Sequence, residues 1–478
     1  MICREPDYQV PLFLKRRLAP VRKKRIVQNG KGRVQPVVIF TGIRKNIAAL
    51  FLLGFLCLLS LSSVFGQSNS GGSGRRGDAL TLKIAVMGPG DEFYFWFGHI
   101  GLVAEDKTTG ETKFFDWGVF SFETENFYVN FAFGRLIYCC MVSRADLNYN
   151  AYIRHNRDIT LYTLDLPAEK KEEILSFAEN NVLPENRDYA YHQFRDNCAT
   201  RIRDIIDMAV DGKFRAEFGE MPGRYTYRQH VRRHTWFSPF MDWILNFWMG
   251  QNIDRPITVW DEMFLPSEIA MRIKDFRYTG SDGRERQLVS SKEIIYSSST
   301  RPAVLDKPRL QWPRELIAGV SFSGIILFFY LLLGKRKRYR IFFGLLNSLL
   351  GLFLGLAGTA LFFMTFFTNH DYTFHNSNIF YVNPLLLAAL PLGLILAFSG
   401  NPKKRYVSGQ LLRVLWTCVL LGGFLTMAIK LSPAFFQQNQ TDQSLIMPIA
   451  FTMIFLLWRM GQKKESFKKL MFPDSSNK

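Results

Sequence analysis

Histidine and cysteine are scarce in this sequence, which holds seven histidines and six cysteines among 478 residues. A catalytic thiol or base therefore has few candidates. His230 and His234 have the spacing of a helical metal site, but two arginines separate them and no acidic third ligand stands nearby. We therefore expect no zinc site there, and we expect no cofactor elsewhere.

Six apolar runs divide the chain, at residues 47–65, 316–334, 341–368, 385–400, 411–429 and 444–458. Most of them are long enough to cross ~30 Å of hydrocarbon as a helix. The run at residues 385–400 is short and contains Pro391. We therefore expect one apolar segment near the N-terminus and about five membrane helices after residue 312.

Acidic residues are also few, with 41 Asp and Glu against 60 Lys and Arg and a formal net charge of +19. The basic residues cluster at residues 335–340, 401–405 and 459–469, whereas the alternate loops at 369–378 and 431–442 contain no Lys or Arg. By the positive-inside rule the basic loops are cytoplasmic and the long segment before residue 312 lies outside. The charge is thus a topology signal, and we do not expect nucleic acid as a partner.

The runs and the charges predict six segments along the chain. These are a basic cytoplasmic leader at residues 1–45, a signal peptide or signal-anchor helix at 46–66, a flexible linker at 67–79, an extracytoplasmic catalytic domain at 80–312, a transmembrane domain at 313–460 and a basic cytoplasmic tail at 461–478. The motif "VFG" before Gln67 resembles a cleavage site, so cleavage and retention of the first apolar segment both stay open.

The extracytoplasmic segment mixes strand and helix patterns, which predicts an α+β fold. Strand patterns occupy residues 80–87, 99–104, 113–117 and 158–164, and a helical pattern occupies 167–181. A second amphipathic helix opens at Cys198, with Asn197 in a favourable N-cap position. The unpaired N–H groups at a helix start favour a thiolate, so Cys198 is a candidate nucleophile.

A nucleophilic cysteine needs a base and a group that orients the base. His99 begins one predicted strand, and Asp116 lies on the next one. If these strands pair, Asp116 reaches the His99 ring. His155 and His192 are less well placed. Two other interpretations of Cys198 remain open: it forms a disulfide with Cys139 or Cys140, or it is an inert side chain of the core.

Two aromatic segments allow more than one interpretation. The rings in residues 91–99 and 126–134 pack in the core or line a groove for an acyl chain. Residues 234–250 are richer in Trp and Phe than a soluble helix requires, and they form either core or an element at the membrane interface. The polar loop at residues 369–378 lies on the same side as the catalytic domain, where it caps the site or only connects two helices.

Several motifs resemble the periplasmic domain of the Lnb-type bacterial lipoprotein N-acyltransferases over residues 80–273. They are "FGHIGLV", "FDWGVFSFETENFYVNFAFG", "PENRDYAYHQFRDNCATRIRD", "YTYRQHV" and "MGQNIDRPITVWDEMFLPSEI". A following multi-helix membrane domain matches the build of that family. The order of a strand histidine, a polar residue on the next strand and "NC" at a helix start is also similar to permuted papain-like enzymes, such as the lecithin:retinol acyltransferase group.

The resemblance implies a role for six residues. Cys198 matches the nucleophile, His99 the base and Asp116 the orienting group, a position where the acyltransferase group often has a second histidine. Three further matches imply roles in site structure or in substrate binding: Asn197, Arg228 and Asp254. The fold implied is a permuted papain-like domain on the outer side of the bacterial inner membrane, followed by an all-α transmembrane domain.

The activity implied is transfer of an acyl chain from a phospholipid, through a cysteine thioester, to the N-terminal amine of a lipoprotein, without a cofactor. One alternative is a membrane-anchored cysteine hydrolase that cleaves cell-wall peptides. Another is a non-catalytic membrane scaffold, which predicts that Cys198 is in a disulfide or lies too far from His99 for contact.

Overall fold

The computed structural model describes residues 75–298, 301–334 and 336–471, and the predictions for residues 1–45, 46–66 and most of 67–79 lie outside this part of the chain. Its strands are β1 (Leu80–Met87), β2 (His99–Asp106), β3 (Glu111–Val119), β4 (Ile137–Arg144), β5 (Ile159–Leu164), β6 (Asp188–Ala190), β7 (Arg277–Thr279), β8 (Glu285–Gln287) and β9 (Val289–Tyr296). Seven of them form one sheet in the order β6-β4-β3-β2-β1-β5-β9, and β7 pairs with β8 in a separate hairpin.

The helices of the same part of the chain fall into two groups. Those before residue 300 are α1 (Arg76–Ala79), α2 (Phe127–Ala132), α3 (Ala145–Arg154), α4 (Ala168–Asn181), α5 (Cys198–Ala209), α6 (Lys213–Phe218), α7 (Tyr227–Thr235), α8 (Pro239–Trp248), α9 (Val259–Glu262) and α10 (Pro266–Ile273). The later group is α11 (Trp312–Leu333), α12 (Lys337–Phe367), α13 (Ala389–Phe398), α14 (Pro402–Ile429) and α15 (Gln440–Met471).

The central strands of the seven-stranded sheet are buried on both faces, whereas β4, β6 and β9 are largely exposed. In β1, Leu82 and Ile84 point into a large core that also contains the apolar sides of α4 and α5. Ala85 and Met87 belong to a smaller cluster on the opposite face, against which α3 packs. This alternation is what a strand pattern with period two requires, and it fixes the register of the neighbouring strands. The α+β class predicted for this domain is confirmed.

Within the described part of the chain, five helical segments are long and apolar enough to cross a membrane: Trp312–Leu333, Lys337–Phe367, Ser377–Phe398, Pro402–Ile429 and Gln440–Gly461. The prediction of an all-α membrane domain with about five helices is thus confirmed. The third segment begins earlier than the apolar run suggested, because two short 3-10 turns precede α13. Pro391 lies in the first turn of α13, where a missing N–H costs little.

Small residues let α12 approach the third segment closely. A Cβ on Gly344 would lie 2.6 Å from the carbonyl oxygen of Gly393, and one on Gly358 would lie 2.5 Å from the backbone of Asn383. Neither distance tolerates a side chain. Close backbone approach of this kind is a common way to pack helices in lipid, where the hydrophobic effect does not drive association.

Helix α8 joins the two parts of the molecule. Phe247 belongs to the buried cluster of the membrane helices, and the Trp243 ring stacks on Phe353 of α12 with centroids 6.4 Å apart. Phe240, at the start of α8, is exposed. Of the two interpretations of residues 234–250, the structure therefore supports packing, but against the membrane domain rather than within the soluble core.

A buried polar network reinforces this contact. Arg228 of α7 is completely buried and donates through Nε to Asp254 Oδ1 at 2.7 Å. Asp254 Oδ2 accepts from the backbone N–H of Gln438, which lies between α14 and α15. One turn further along α7, Arg232 donates to Thr441 of α15 at 3.0 Å. Charged groups thus connect the α+β domain directly to the membrane helices.

We predict that Asp254→Ala destabilises the protein by about 3–5 kcal/mol, because it leaves the buried Arg228 charge without its partner. The melting temperature of the purified protein in detergent, followed by tryptophan fluorescence, measures this loss. Asp275→Ala is the matched control, since its ion pair with Lys274 is exposed and is worth about 1 kcal/mol at most. Equal melting temperatures for the two variants would contradict the role given to the buried pair.

Candidate active site

Asn197 fixes the position of Cys198 at the start of α5. Its Oδ1 accepts from the Thr200 N–H at 2.9 Å, and its own N–H donates to Thr200 Oγ1 at 2.8 Å. Its Nδ2 donates to the carbonyls of Gln193 and Phe264. These four bonds complete a capping box and attach the helix start to two neighbouring segments. Cys198 is 9% exposed and faces the main core with the apolar side of α5.

The paired strands β2 and β3 bring His99 and Asp116 together, as predicted. His99 Nε2 lies 2.6 Å from Asp116 Oδ1. The Cys198 thiol lies close enough to the same imidazole to influence its pKa. Since Asp116 occupies Nε2, Nδ1 is the ring nitrogen left for the thiol. A hydrogen-bonded histidine and aspartate from two paired strands therefore lie near a cysteine at the start of a helix.

The electrostatics of this group favour a charged histidine. Burial lowers the pKa of His99, but the charges of Asp116 and of Cys198 outweigh it and raise that pKa to about 10. At neutral pH the imidazole is therefore protonated next to the thiol. An imidazolium stabilises a thiolate, which is the nucleophilic form of cysteine.

Cys139 and Cys140 do not share these features. Both are free thiols, as is Cys198, so the disulfide alternative is not realised in the structure. Burial is the main cause that raises the pKa of Cys139 and of Cys140 above the ordinary thiol value. A neutral thiol is a weak nucleophile, which leaves Cys198 as the reactive candidate among these three cysteines.

Sequence reasoning missed Gly118, which lies against the nucleophile. Its φ of +88° accompanies a register shift between Trp117 and Val119 in the pairing of β3 with β4. A Cβ at this position would lie 3.7 Å from the Cβ of Cys198. Glycine therefore permits the backbone bend and leaves space beside the thiol.

Tyr189 was also missed, although it lies close to Cys198. Its hydroxyl and the Cβ of Cys198 are each 3.7 Å from that Gly118 position, so the two atoms are at most about 7.4 Å apart. The hydroxyl is buried and has no hydrogen-bond partner among the described residues. Burial and the nearby Cys198 raise the pKa of Tyr189, so the hydroxyl stays protonated and available as a donor. The Arg201 guanidinium lies 4.2 Å from the ring centroid and holds it from the other side.

Tyr152 and Arg157 form the wall behind His99. The Tyr152 ring stacks on the imidazole with centroids 6.2 Å apart. The Arg157 guanidinium, which is fully buried, lies 4.8 Å from the Tyr152 centroid and 4.3 Å from that of Phe95. These contacts restrict rotation of the imidazole.

The side chains of the three residues predicted to bind substrate are buried, and each is hydrogen-bonded to other groups of the protein. Asn197 is the N-cap described above. Arg228 donates to Asp254 and to the carbonyls of Asn246, Met249 and Gly250 at the end of α8. None of the three side chains presents an open surface, so their role in substrate binding stays a prediction and their geometry supports a role in site structure.

His230, His234 and His155 contact groups other than the thiol. His230 contacts Glu262 at 3.0 Å, and burial is the main cause that lowers the pKa of His234 to about 3. His155 lies 3.6 Å from Glu92. In the described ranges, no three His, Cys, Asp or Glu side chains are grouped closely enough to hold a metal ion.

His192 contacts the membrane domain. Its Nε2 lies 2.8 Å from Asp371 Oδ1, and Arg195 donates to Asp371 Oδ2 at 2.5 Å. Asp371 belongs to the polar loop at residues 369–378, between α12 and the third membrane segment. This loop thus does more than connect two helices, because it binds the segment that leads into Cys198.

The fold and the site define a multi-pass membrane protein whose α+β domain carries a buried thiol near a partly buried imidazole and carboxylate that contact each other. A family model described as the Lnb N-terminal periplasmic domain matches residues 75–233, and one described as the Lnb transmembrane domain matches residues 316–459. The chain has both domains in this order and belongs to the Lnb-type family. No curated protein and no solved structure matches it.

The pKa of His99 leads to a prediction for the Asp116→Asn variant. Burial lowers this pKa and Asp116 does most to raise it, so the variant loses a stabilising charge. Because folding raises the pKa of His99, its charged form stabilises the folded protein. This stabilisation is fully present below the ordinary pKa of 6.5 and is lost as the pH rises through about 10. The gap in melting temperature between wild type and variant should therefore be widest just below pH 6.5 and should narrow up to about pH 10.

The exposed Asp146 serves as the control, because its partner is Arg144 and not a histidine. Asp146→Asn should give a small gap that does not vary with pH over this range. If the Asp116→Asn gap were also independent of pH, the assignment of a charged His99 paired with Asp116 would be wrong.

Proposed function

We propose that the protein is an acyltransferase that moves a fatty acyl chain from a phospholipid, through a thioester on Cys198, to the N-terminal amine of a lipoprotein. The observation that carries this proposal is the His99–Asp116 pair near Cys198 in a domain that is bonded directly to membrane helices. A substrate anchored in the bilayer explains why the two are joined. The family resemblance supports the same reaction.

In the first step the Cys198 thiolate attacks the ester carbonyl carbon of the phospholipid. A C–S bond forms and the ester C–O bond breaks, which leaves an acyl thioester on the enzyme. The departing lysophospholipid oxygen takes the proton from the His99 imidazolium. Asp116 holds the imidazole in the orientation required for this transfer.

In the second step the free α-amine of a diacylglyceryl-cysteine attacks the thioester carbonyl. A C–N bond forms, the C–S bond breaks, and His99 accepts a proton from the amine. The product is an amide, and the enzyme returns to its imidazolium and thiolate state.

Both steps pass through a tetrahedral intermediate with a negatively charged oxygen. We propose that N–H groups at the start of α5 and the unpartnered hydroxyl of Tyr189 stabilise this oxygen. Asn197 holds the helix start, and the Arg228–Asp254 pair holds the domain on the membrane helices. We assign all three residues to site structure. The α+β domain is placed on the periplasmic side of the inner membrane, as the basic loops predict.

The alternative of a cell-wall peptide hydrolase uses the same three residues with water as the acceptor. It favours an open polar cleft beside the nucleophile. The side chains beside Gly118 and Cys198 are instead the tyrosines 189 and 191, and partly buried aromatic rings continue from Tyr191. This surface suits an acyl chain better than a peptide.

We predict that the protein adds one acyl chain to a lipoprotein reporter in cells without their own N-acyltransferase. Cys198→Ser should abolish the addition, because a hydroxyl in this site is not ionised by the imidazole. Cys139→Ser is the matched control and should retain it. The intact mass of the reporter measures the outcome. No added mass with well-expressed wild-type protein would refute acyl transfer to lipoproteins, and peptidoglycan fragments would then test the hydrolase.

A further inference from the structure

A row of stacked aromatic rings extends from the membrane helices towards Cys198. We call these five rings the aromatic ladder, and each ring stacks on the next. From the outer ring to the inner one, the centroid distances are 6.0, 5.8, 4.9 and 4.3 Å, and the interplanar angles lie between 13° and 26°. The members are Phe131, Phe127, Phe120, Tyr138 and Tyr191. They come from α2, from the segment after β3, from β4 and from the segment after β6.

The outer end of the ladder meets the membrane domain. The Phe131 ring lies 6.2 Å from that of His370 in the loop after α12. Two residues further on, the Phe133 ring lies 5.4 Å from that of Phe363, which is partly exposed on α12 near its end. The outer end of the ladder thus lies beside the membrane domain.

The inner end of the ladder meets the active site. Tyr191 Cε2 lies 3.5 Å, and the Cβ of Cys198 3.7 Å, from the position that a Cβ on Gly118 would take. These two atoms are therefore no more than about 7.2 Å apart. Because Gly118 has no side chain, nothing from that residue separates the last ring from the thiol.

The rings are not a sealed core. Phe131 is 48% exposed, and the adjacent Phe122 and Tyr128 are 46% and 70% exposed. A contiguous exposed apolar surface of this kind marks a binding site for a membrane or an apolar ligand. At its outer end, the exposed Arg135 holds its guanidinium 5.6 Å from the Phe133 centroid, where a cation is able to meet a lipid phosphate.

We propose that the aromatic ladder is the track along which one acyl chain of a bilayer phospholipid reaches Cys198. A chain that leaves the bilayer must stay out of water, and the rings, of which Phe131 is exposed and the other four are partly buried, provide apolar surface for it. The four ring-to-ring steps total 21.0 Å, comparable with the ~15 Å depth of one hydrocarbon leaflet. This inference rests on the proposed function, since it names how the donor lipid is held.

The first test measures binding without chemistry. A phosphatidylcholine with a diazirine in its acyl chain is photolysed with Cys198→Ser protein, and labelled peptides are mapped by mass spectrometry. We expect labelling of the peptides that contain Phe127 and Tyr138, and a drop of about 10-fold when Phe127→Ser removes the second ring. Phe177→Ser, an equal change at an exposed ring of α4, should leave the labelling intact. Labelling confined to the membrane helices would overturn the proposal.

The second test distinguishes an effect on acyl-chain binding by the ladder from an effect on the reactivity of Cys198. Acylation of Cys198 by p-nitrophenyl acetate and by p-nitrophenyl palmitate is compared in wild-type, Phe127→Ser and Phe177→Ser proteins. We expect Phe127→Ser to slow only the palmitoyl ester, by about 10-fold. An equal loss with both esters, or no loss with either, would contradict an acyl-chain track. If Phe127→Ser slowed only the palmitoyl ester but the wild-type protein acylated no lipoprotein reporter, the ladder would be supported as an acyl-chain track. The lipoprotein acceptor of the proposed function would then be refuted.

Discussion

The guanidinium of Arg228 is completely buried, and such a charge is costly unless it is paired and hydrogen-bonded. Arg228 meets this condition only when α7, the end of α8 and Asp254 come together. Asp254 in turn bonds to the chain between α14 and α15. This buried ion pair therefore helps to fix the α+β domain on the membrane helices, together with the contacts of Arg232 with Thr441 and of Trp243 with Phe353. The rest of the molecule, including the position of the thiol relative to the bilayer, depends on that attachment.

The attachment has a consequence for the active site. The same face of the membrane domain presents Asp371, which bonds to His192 and Arg195 a few residues before Cys198. It also presents His370 and Phe363 to the outer end of the aromatic ladder. The membrane helices thus contact both the segment that carries the nucleophile and the apolar surface that leads to it. In this account the membrane domain is part of the site and not only an anchor.

The features that local patterns determine were predictable from the sequence. Strand alternation located β2 and β3, so the meeting of His99 with Asp116 followed from pairing two neighbouring strands. The N-cap preference of asparagine located the start of α5 at Cys198. Other features depend on long-range register or docking, which no local pattern contains. The bend at Gly118 requires the offset between β3 and β4, and the roles of Tyr189 and Asp371 appear only after distant segments have packed. The packing of α8 was not predictable for the same reason. Its partner is a membrane helix more than 100 residues later in the chain.

The central claim is that Cys198 carries an acyl chain between donor and acceptor. The most direct measurement is the intact mass of the purified protein after incubation with a defined phospholipid and no acceptor. The account predicts an added mass equal to one acyl chain, located on the peptide that contains Cys198 and removed by neutral hydroxylamine, as a thioester requires. An unmodified Cys198 in protein whose thiol still reacts with iodoacetamide, or an acyl chain on another residue, would contradict it.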